Sequence, residues 1–344
     1  MVSGAIPSPR APVGSADPIL MVRDLVTVFP ATHGVVVAAN HVSFDLRPGE
    51  TMGLVGESGS GKSVTCRSLL RLVPEPGETI GGSVVFEGRD LLQLSTRALR
   101  SLRGREISMI FQDPLASLNP VYSVGDQIGE PLRIHRKMSR RQAREEAVRL
   151  LDRVGIPSAR RRLDSYPHEL SGGMRQRVMI AIAISCRPRI LLADEATTAL
   201  DVTIQDQILA LLLELQRENG MAILLVSHDL GVIAQACDRV TVMYAGFVVE
   251  QASTEALFAR PRHPYTVALL KALPELAAER ADGRLVPIRG QPPDLASLPP
   301  GCPFAPRCEF AEGEDSSRRE VPMLLEQVES GHFTACPFHA EVGL

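Results

Sequence analysis

Short apolar runs alternate with amphipathic stretches along most of this chain. Residues 19–29 alternate, with Val22, Leu25, Val26 and Val28 available to a core, and predict a strand. Residues 30–34 form a turn, and 35–46 add further strand character. Arg47-Pro48-Gly49 then turns the chain into a short buried run, residues 51–55. Helical spacing begins at Val64 and ends before Pro74. Residues 81–86 predict a strand, 95–102 a short helix, and 106–111 a strand that delivers Gln112 at its end. A loop with two prolines spans 113–120, and the helical pattern from Ser123 is expected to break at Pro131. Ser139 opens a strong helix. Gln142 completes its capping box, Ala143, Ala147, Leu150, Leu151 and Val154 share one face, and Gly155 stops it. An apolar helix is expected over 175–186, a buried strand over 189–193, an amphipathic helix over 203–219 and a strand over 221–226. Two last strands, 239–244 and 247–251, flank Ala245-Gly246.

Strands alternating with helices predict an α/β fold with a largely parallel sheet. Residues 113–170 are helical and interrupt the alternation, so they are expected to form a helical subdomain inserted in a domain over 19–258. Residues 1–18 are rich in Pro, Gly, Ser and Ala without an apolar period and predict a disordered leader. After Phe258 prolines recur, at Pro261, Pro264, Pro274, Pro287, Pro292, Pro293, Pro299, Pro300, Pro303 and Pro306. Residues 259–344 are therefore expected to be an appendage of extended and looped segments. No internal repeat is present.

Composition narrows the class. The 344 residues suffice for two domains, or for one large domain with an appendage. With 37 basic against 40 acidic side chains the net charge is −3, which gives no reason to expect a nucleic-acid partner. No apolar run approaches the roughly 20 residues that span a bilayer, and the N-terminus lacks the basic-then-apolar order of a secretory signal. Cys66, Cys186 and Cys237 fall in predicted helices and read as small buried hydrophobes.

Candidate chemistry begins at Gly56-Glu57-Ser58-Gly59-Ser60-Gly61-Lys62-Ser63, which matches G-x-x-x-x-G-K-[ST] between a predicted strand and a predicted helix. The glycines let backbone N–H groups approach phosphate oxygens, and the new helix, through Val64, adds the positive end of its dipole. Lys62 would reach β- and γ-phosphates, and the Ser63 hydroxyl would ligate Mg²⁺. The strand over 189–193 leads into Asp194, suited to the Mg²⁺ shell, and Glu195, suited to polarise a water for attack on the γ-phosphate. His228 and Gln112 also end strands, where open α/β sheets bind ligands, and each could contact the γ-phosphate, the metal shell or the water. Leu170-Ser171-Gly172-Gly173-Met174-Arg175-Gln176 is a second glycine-rich helix start and a second anion site. One subunit's chemistry needs only one such site. The second is expected to cover the γ-phosphate of another subunit, so that two subunits sandwich nucleotide.

These motifs, with Ala199-Leu200-Asp201, stand in the order found in ABC-transporter ATPase subunits, which the chain resembles over 19–258. The resemblance implies a P-loop NTPase (RecA-like) core with an antiparallel β-subdomain and an inserted helical subdomain. It implies that Ser171 and Gly173 act across a dimer interface, with Gly172 and Gln176 also counted among the nucleotide-binding residues, that Asp201 lies in the loop between the two sites, and that Phe29 stacks on adenine. Ala196 stands where the family usually has proline, a change expected to affect loop stiffness and not chemistry.

Three further stretches resemble the oligopeptide/dipeptide importer ATPases: residues 112–120, Arg262-His263-Pro264-Tyr265-Thr266, and Gly301-Cys302-Pro303-Phe304-Ala305-Pro306-Arg307-Cys308. This likeness implies a similar second ATPase subunit, two membrane-spanning permeases and an extracytoplasmic binding protein as partners. The chain would sit peripherally on the cytoplasmic face of a bacterial inner membrane. Related importers carry dipeptides, oligopeptides, nickel or other small solutes. Family members commonly carry four cysteines in the tail. This chain has Cys302, Cys308 and Cys336, with Asp315 near the missing one and His332 and His339 near the third. Three thiolates and one such ligand could bind a [4Fe–4S] cluster or zinc, or the thiols could simply pack among the prolines.

Overall fold

The computed structural model describes residues 17–32, 34–196, 202–273, 286–311 and 323–343. Most of the predicted leader, Ala199-Leu200-Asp201 and Asp315 lie outside the described residues. In chain order the strands are β1 Leu20–Ala31, β2 Gly34–Leu46, β3 Thr51–Val55, β4 Glu78–Phe86, β5 Arg89–Asp90, β6 Ile107–Ile110, β7 Ile190–Asp194, β8 Ala222–Ser227, β9 Arg239–Tyr244, β10 Phe247–Ser253, β11 Glu326–Glu329 and β12 His332–Thr334. The chain divides into two compact units, residues 1–92 with 227–344, and residues 93–226.

The first unit holds two sheets. In the antiparallel one β1 pairs with β2 on one side and β4 on the other, in the order β2-β1-β4-β5. Its core comes from residues that alternate except across an irregularity between Val22 and Leu25: Leu20, Val22 and Leu25 of β1, Val42, Phe44 and Leu46 of β2, and Val84 and Phe86 of β4 are all buried. The other sheet runs β11-β12-β10-β9-β3. Here β3 and β9 are parallel and every residue of β3 is buried, which is why its sequence is a continuous short run and not an alternation.

The appendage was expected to be extended and looped, and it is more ordered than that. Pro264 does not break a helix but opens one, Pro264–Lys271, where its missing N–H costs nothing. The last hairpin adds β12 antiparallel to β10, with Glu250 opposite Thr334 and Gln251 opposite Phe333. Glu250 pins these pieces. Fully buried, it accepts hydrogen bonds from the backbone N–H of Arg262 (2.6 Å) and His263 (3.0 Å), and His332 Nε2 lies 2.7 Å from its Oε1. A buried carboxylate is tolerable only when its oxygens are satisfied in this way.

The second unit carries the parallel order β8-β7-β6. The helix from Ser139 has both halves of its capping box and buries the predicted face. The preceding helix, Val124–His135, runs through Pro131 instead of breaking there. Interior proline costs about 3 kcal/mol. Val124, Ile128 and Leu132 share one face and are fully buried, each contributing about 1.5–3 kcal/mol, and that outweighs the loss. The expected loop over 113–120 contains one helical turn, Pro114–Ser117. Cys186 and Cys237 sit just beyond helix ends, not inside helices.

His263 makes the tail pH-sensitive. It is buried, its Nδ1 accepts from the backbone N–H of Tyr265 (3.1 Å), and burial pushes its pKa down to about 3. The unfolded chain takes up this proton near pH 6.5 while the folded chain does not, so stability is complete above that pH and falls as pH drops toward 3. The expected slope is about 1.4 kcal/mol per pH unit. His263→Asn keeps a capping acceptor. Denaturation between pH 6 and 4 should show wild type losing stability more steeply than this variant by about that slope.

Candidate functional site

The turn after β3 is built by backbone geometry that only glycine supplies. Gly56 and Gly61 adopt φ of +151° and +98°, and a Cβ at either would lie 2.1 Å from a backbone oxygen, of Met243 and Ala38 respectively. The helix Lys62–Leu69 follows, with Gly61 as its N-cap and no side chain capping it, so its first N–H groups face the loop. The helix ends at Leu69, earlier than predicted, because Arg71 turns into the left-handed region. Lys62, 4% exposed, folds back over the loop: its Nζ donates to Gly56 O and Glu57 O, both at 2.8 Å, and to Ser60 Oγ at 3.3 Å. An ammonium ion is thus already centred where a phosphate chain would lie against the backbone N–H groups. Ser58 and Gly59 are exposed, Ser60 is buried, and Ser63 and Val64 in the first helical turn are half-buried.

Phe29 is half-buried on β1, opposite Val36. A Cβ at Gly77 would come within 2.3 Å of its ring, so the ring lies directly on that glycine. His228, in the same unit, is exposed immediately after β8.

In the second unit β7 ends at the buried Asp194. The next residue, Glu195, takes φ +48°, a left-handed conformation that costs a non-glycine residue about 1–3 kcal/mol. Strain of this kind persists where surrounding contacts fix it. Here the Glu195 N–H donates to Val226 O (3.2 Å), and Gln112 Nε2 donates to Glu195 Oε2 at 2.6 Å. Gln112 and Glu195 are therefore brought together. The glycine-rich helix start is also formed, and earlier than predicted: the helix is Gly172–Ile184. Ser171 is its N-cap, accepting from Met174 N–H (3.3 Å), so Gly172 and Gly173 fall in the first turn, where their lack of helix propensity matters least. Ser171 and Gly172 are exposed, whereas Gln176 is buried. Asp201 lies outside the described residues.

Cys302, Cys308 and Cys336 line one small cavity of about 20 Å³. Burial pushes the Cys302 thiol up to about 11 and the Cys336 thiol up to about 12. His332 Nε2 is committed to Glu250, and His339 Nδ1 lies 3.0 Å from Cys336 O. Among the described residues no group of three or more His, Cys, Asp or Glu is disposed to hold a metal ion. The residues described thus do not fit a cluster or zinc site.

Sequence reasoning gave Glu57, Tyr265 and Arg307 no site role, yet the last two touch the first. No spacing rule joins positions so far apart. The only signal was that Tyr265 and Arg307 fall inside the tail motifs.

Comparison with known proteins agrees with this geometry. The model of the ABC transporter family matches residues 39–198, and that of the oligopeptide/dipeptide transporter C-terminal region matches residues 249–314. The chain is 53% identical over 296 residues to the oligopeptide transport ATP-binding protein OppD of Salmonella typhimurium, covering 86% of this chain and 88% of that protein. It is 52% identical over 332 residues to a putative peptide import ATP-binding protein of Brucella melitensis, covering 94% and 97%. A solved dimeric, post-hydrolysis state of the ATP-binding cassette MJ0796 bound to ADP and Pi superposes with a TM-score of 0.62 at 27% identity, over 68% of this chain and 98% of that one. Fold and site define an ATP-hydrolysing nucleotide-binding cassette. The chain belongs to the ABC transporter ATP-binding subunits of the oligopeptide/dipeptide family.

The loop glycines differ in what they tolerate. Gly59 has φ +79° but open space around its Cβ position, so Gly59→Ala should cost only about 1–2 kcal/mol. Gly61→Ala must also displace the Ala38 carbonyl and should cost more, with loss of ATP binding. Urea denaturation and nucleotide titration of the two variants check the order.

Proposed function

We propose that this chain is the motor subunit of an importer for dipeptides or oligopeptides. The observation that carries the reading is that one chain matches both the transporter cassette and the oligopeptide/dipeptide tail region. In this reading Phe29 stacks on adenine and the loop from Gly56 to Val64, with Lys62 at its centre, holds the phosphates. Ser63, Asp194 and Gln112 would hold Mg²⁺, which would supply charge neutralisation to the phosphates. Glu195 accepts the proton of the attacking water, and the Gln112 hydrogen bond keeps its carboxylate oriented. His228 contacts the γ-phosphate. Ser171, Gly172, Gly173 and Gln176 of a second, similar ATPase subunit complete the site, and Asp201 lies in the segment that links the two.

ATP is then a ligand of the closed dimer, and hydrolysis removes the ligand that favours closure. Closure drives two permease subunits fed by an extracytoplasmic binding protein, with residues after Gln112 as the docking segment. A peripheral position on the cytoplasmic face of the bacterial inner membrane suits this role. Among the described residues no helix is long and apolar enough to cross a membrane. No nucleic acid is involved, and no step passes through the tail cysteines.

Glu195→Gln removes the base while preserving shape. Steady-state ATP hydrolysis by the assembled transporter should fall by about 100-fold or more, with an ATP-bound dimer accumulating in size-exclusion chromatography. Turnover within a few-fold of wild type would remove Glu195 from that role. In proteoliposomes, binding protein loaded with peptide should raise ATP turnover. Stimulation only by nickel would assign the importer to a different solute.

A further inference from the structure

The two tail motifs meet the phosphate loop at one residue, Glu57. Arg307 grips its carboxylate bidentately, Nη1 to Oε2 at 2.6 Å and Nη2 to Oε1 at 3.1 Å. Tyr265 accepts a hydrogen bond from the Glu57 backbone N–H at its hydroxyl, 2.7 Å away. The Glu57 carbonyl accepts from Lys62 Nζ (2.8 Å) and from Ser60 N–H (3.2 Å). Every polar group of this loop residue is therefore engaged, two of them by the appendage.

The grip is built, not incidental. The Arg307 side chain is only 4% exposed. Its Nε donates to Arg289 O (2.6 Å), its Nη1 also donates to the Tyr244 hydroxyl (3.2 Å), and its guanidinium lies 5.8 Å from the ring centres of both Tyr244 and Phe304. Phe304 packs edge-on to Tyr244 at 5.3 Å and tilted to Tyr265 at 5.4 Å, which fixes the direction from which the arginine arrives. Planar, bidentate pairing in a partly desolvated setting is where an arginine–carboxylate pair has directional value, unlike exposed surface pairs. The carboxylate it neutralises stands one residue from Gly56, in a loop that must accept a polyanion. Left alone, Glu57 would repel phosphate and be free to swing the loop.

We infer that Arg307 is a positioning residue for nucleotide: by clamping and neutralising Glu57 it holds the phosphate loop in the conformation that accepts ATP, and it makes the C-terminal appendage part of the nucleotide-affinity machinery. This rests on the loop being the ATP site, a reading that Lys62→Ala tests separately by loss of binding.

The test is a double-mutant cycle in the full-length chain, read by titration with a fluorescent ATP analogue and by steady-state hydrolysis. Arg307→Met should weaken nucleotide affinity and raise KM by about tenfold, equivalent to about 1.4 kcal/mol, while kcat changes by less than about twofold. The defect should shrink at high salt, because the exposed repulsion is screened. On a Glu57→Gln background the same arginine substitution should have little further effect, since no carboxylate remains to be restrained. Arg307→Lys, which keeps charge but not the fork, should fall between and covers the case in which the methionine variant does not fold. Three results overturn the inference: unchanged KM in Arg307→Met, an undiminished arginine effect on the Glu57→Gln background, or a lowered melting temperature with wild-type affinity.

Discussion

A cation held by two backbone carbonyls and a serine hydroxyl is the interaction on which the rest depends. Lys62 cannot reach Gly56 O and Glu57 O unless the chain reverses within five residues, and that reversal needs left-handed backbone at Gly56 and Gly61 with no side chain between loop and Met243 or Ala38. The lysine in turn holds inward two carbonyls that would otherwise repel one another. The same arrangement explains why β3 is buried along its length: a loop this constrained must be launched from a strand that cannot shift.

The second unit solves a different problem. It sets a carboxylate, Glu195, immediately after the end of a buried strand. The left-handed turn at Glu195 does this at a cost in conformational energy, and Gln112, from the end of β6, anchors the carboxylate. At the Gly172–Ile184 helix the Ser171 cap pays for two glycines in the first turn, which leaves an uncluttered helix start on the surface. Each device sits at a strand end or helix start, where backbone groups are unsatisfied and available to a ligand.

Much of this was legible in the sequence. The limits of β3 and β9, the capping box at Ser139 with Gln142, and the strand-end positions of Asp194, His228 and Gln112 follow from short apolar runs and turn chemistry. The errors came where tertiary packing outweighs a local rule. Pro131 stays within a helix because three buried aliphatic side chains hold it there, and the glycines after Ser171 are helical because the cap satisfies their turn. The tail hairpin was missed because its strands are short and mostly polar, and they form by pairing with β10. The contact between Arg307 and Glu57 was illegible for a simpler reason: only the folded chain brings the two positions together.

A structure of the full-length chain with bound ATP tests this account most directly. It should show the Lys62 ammonium transferred from the Gly56 and Glu57 carbonyls to phosphate oxygens, with the Glu57 carboxylate still in the fork of Arg307. A triphosphate bound elsewhere, with Lys62 still on its loop carbonyls, would contradict the account.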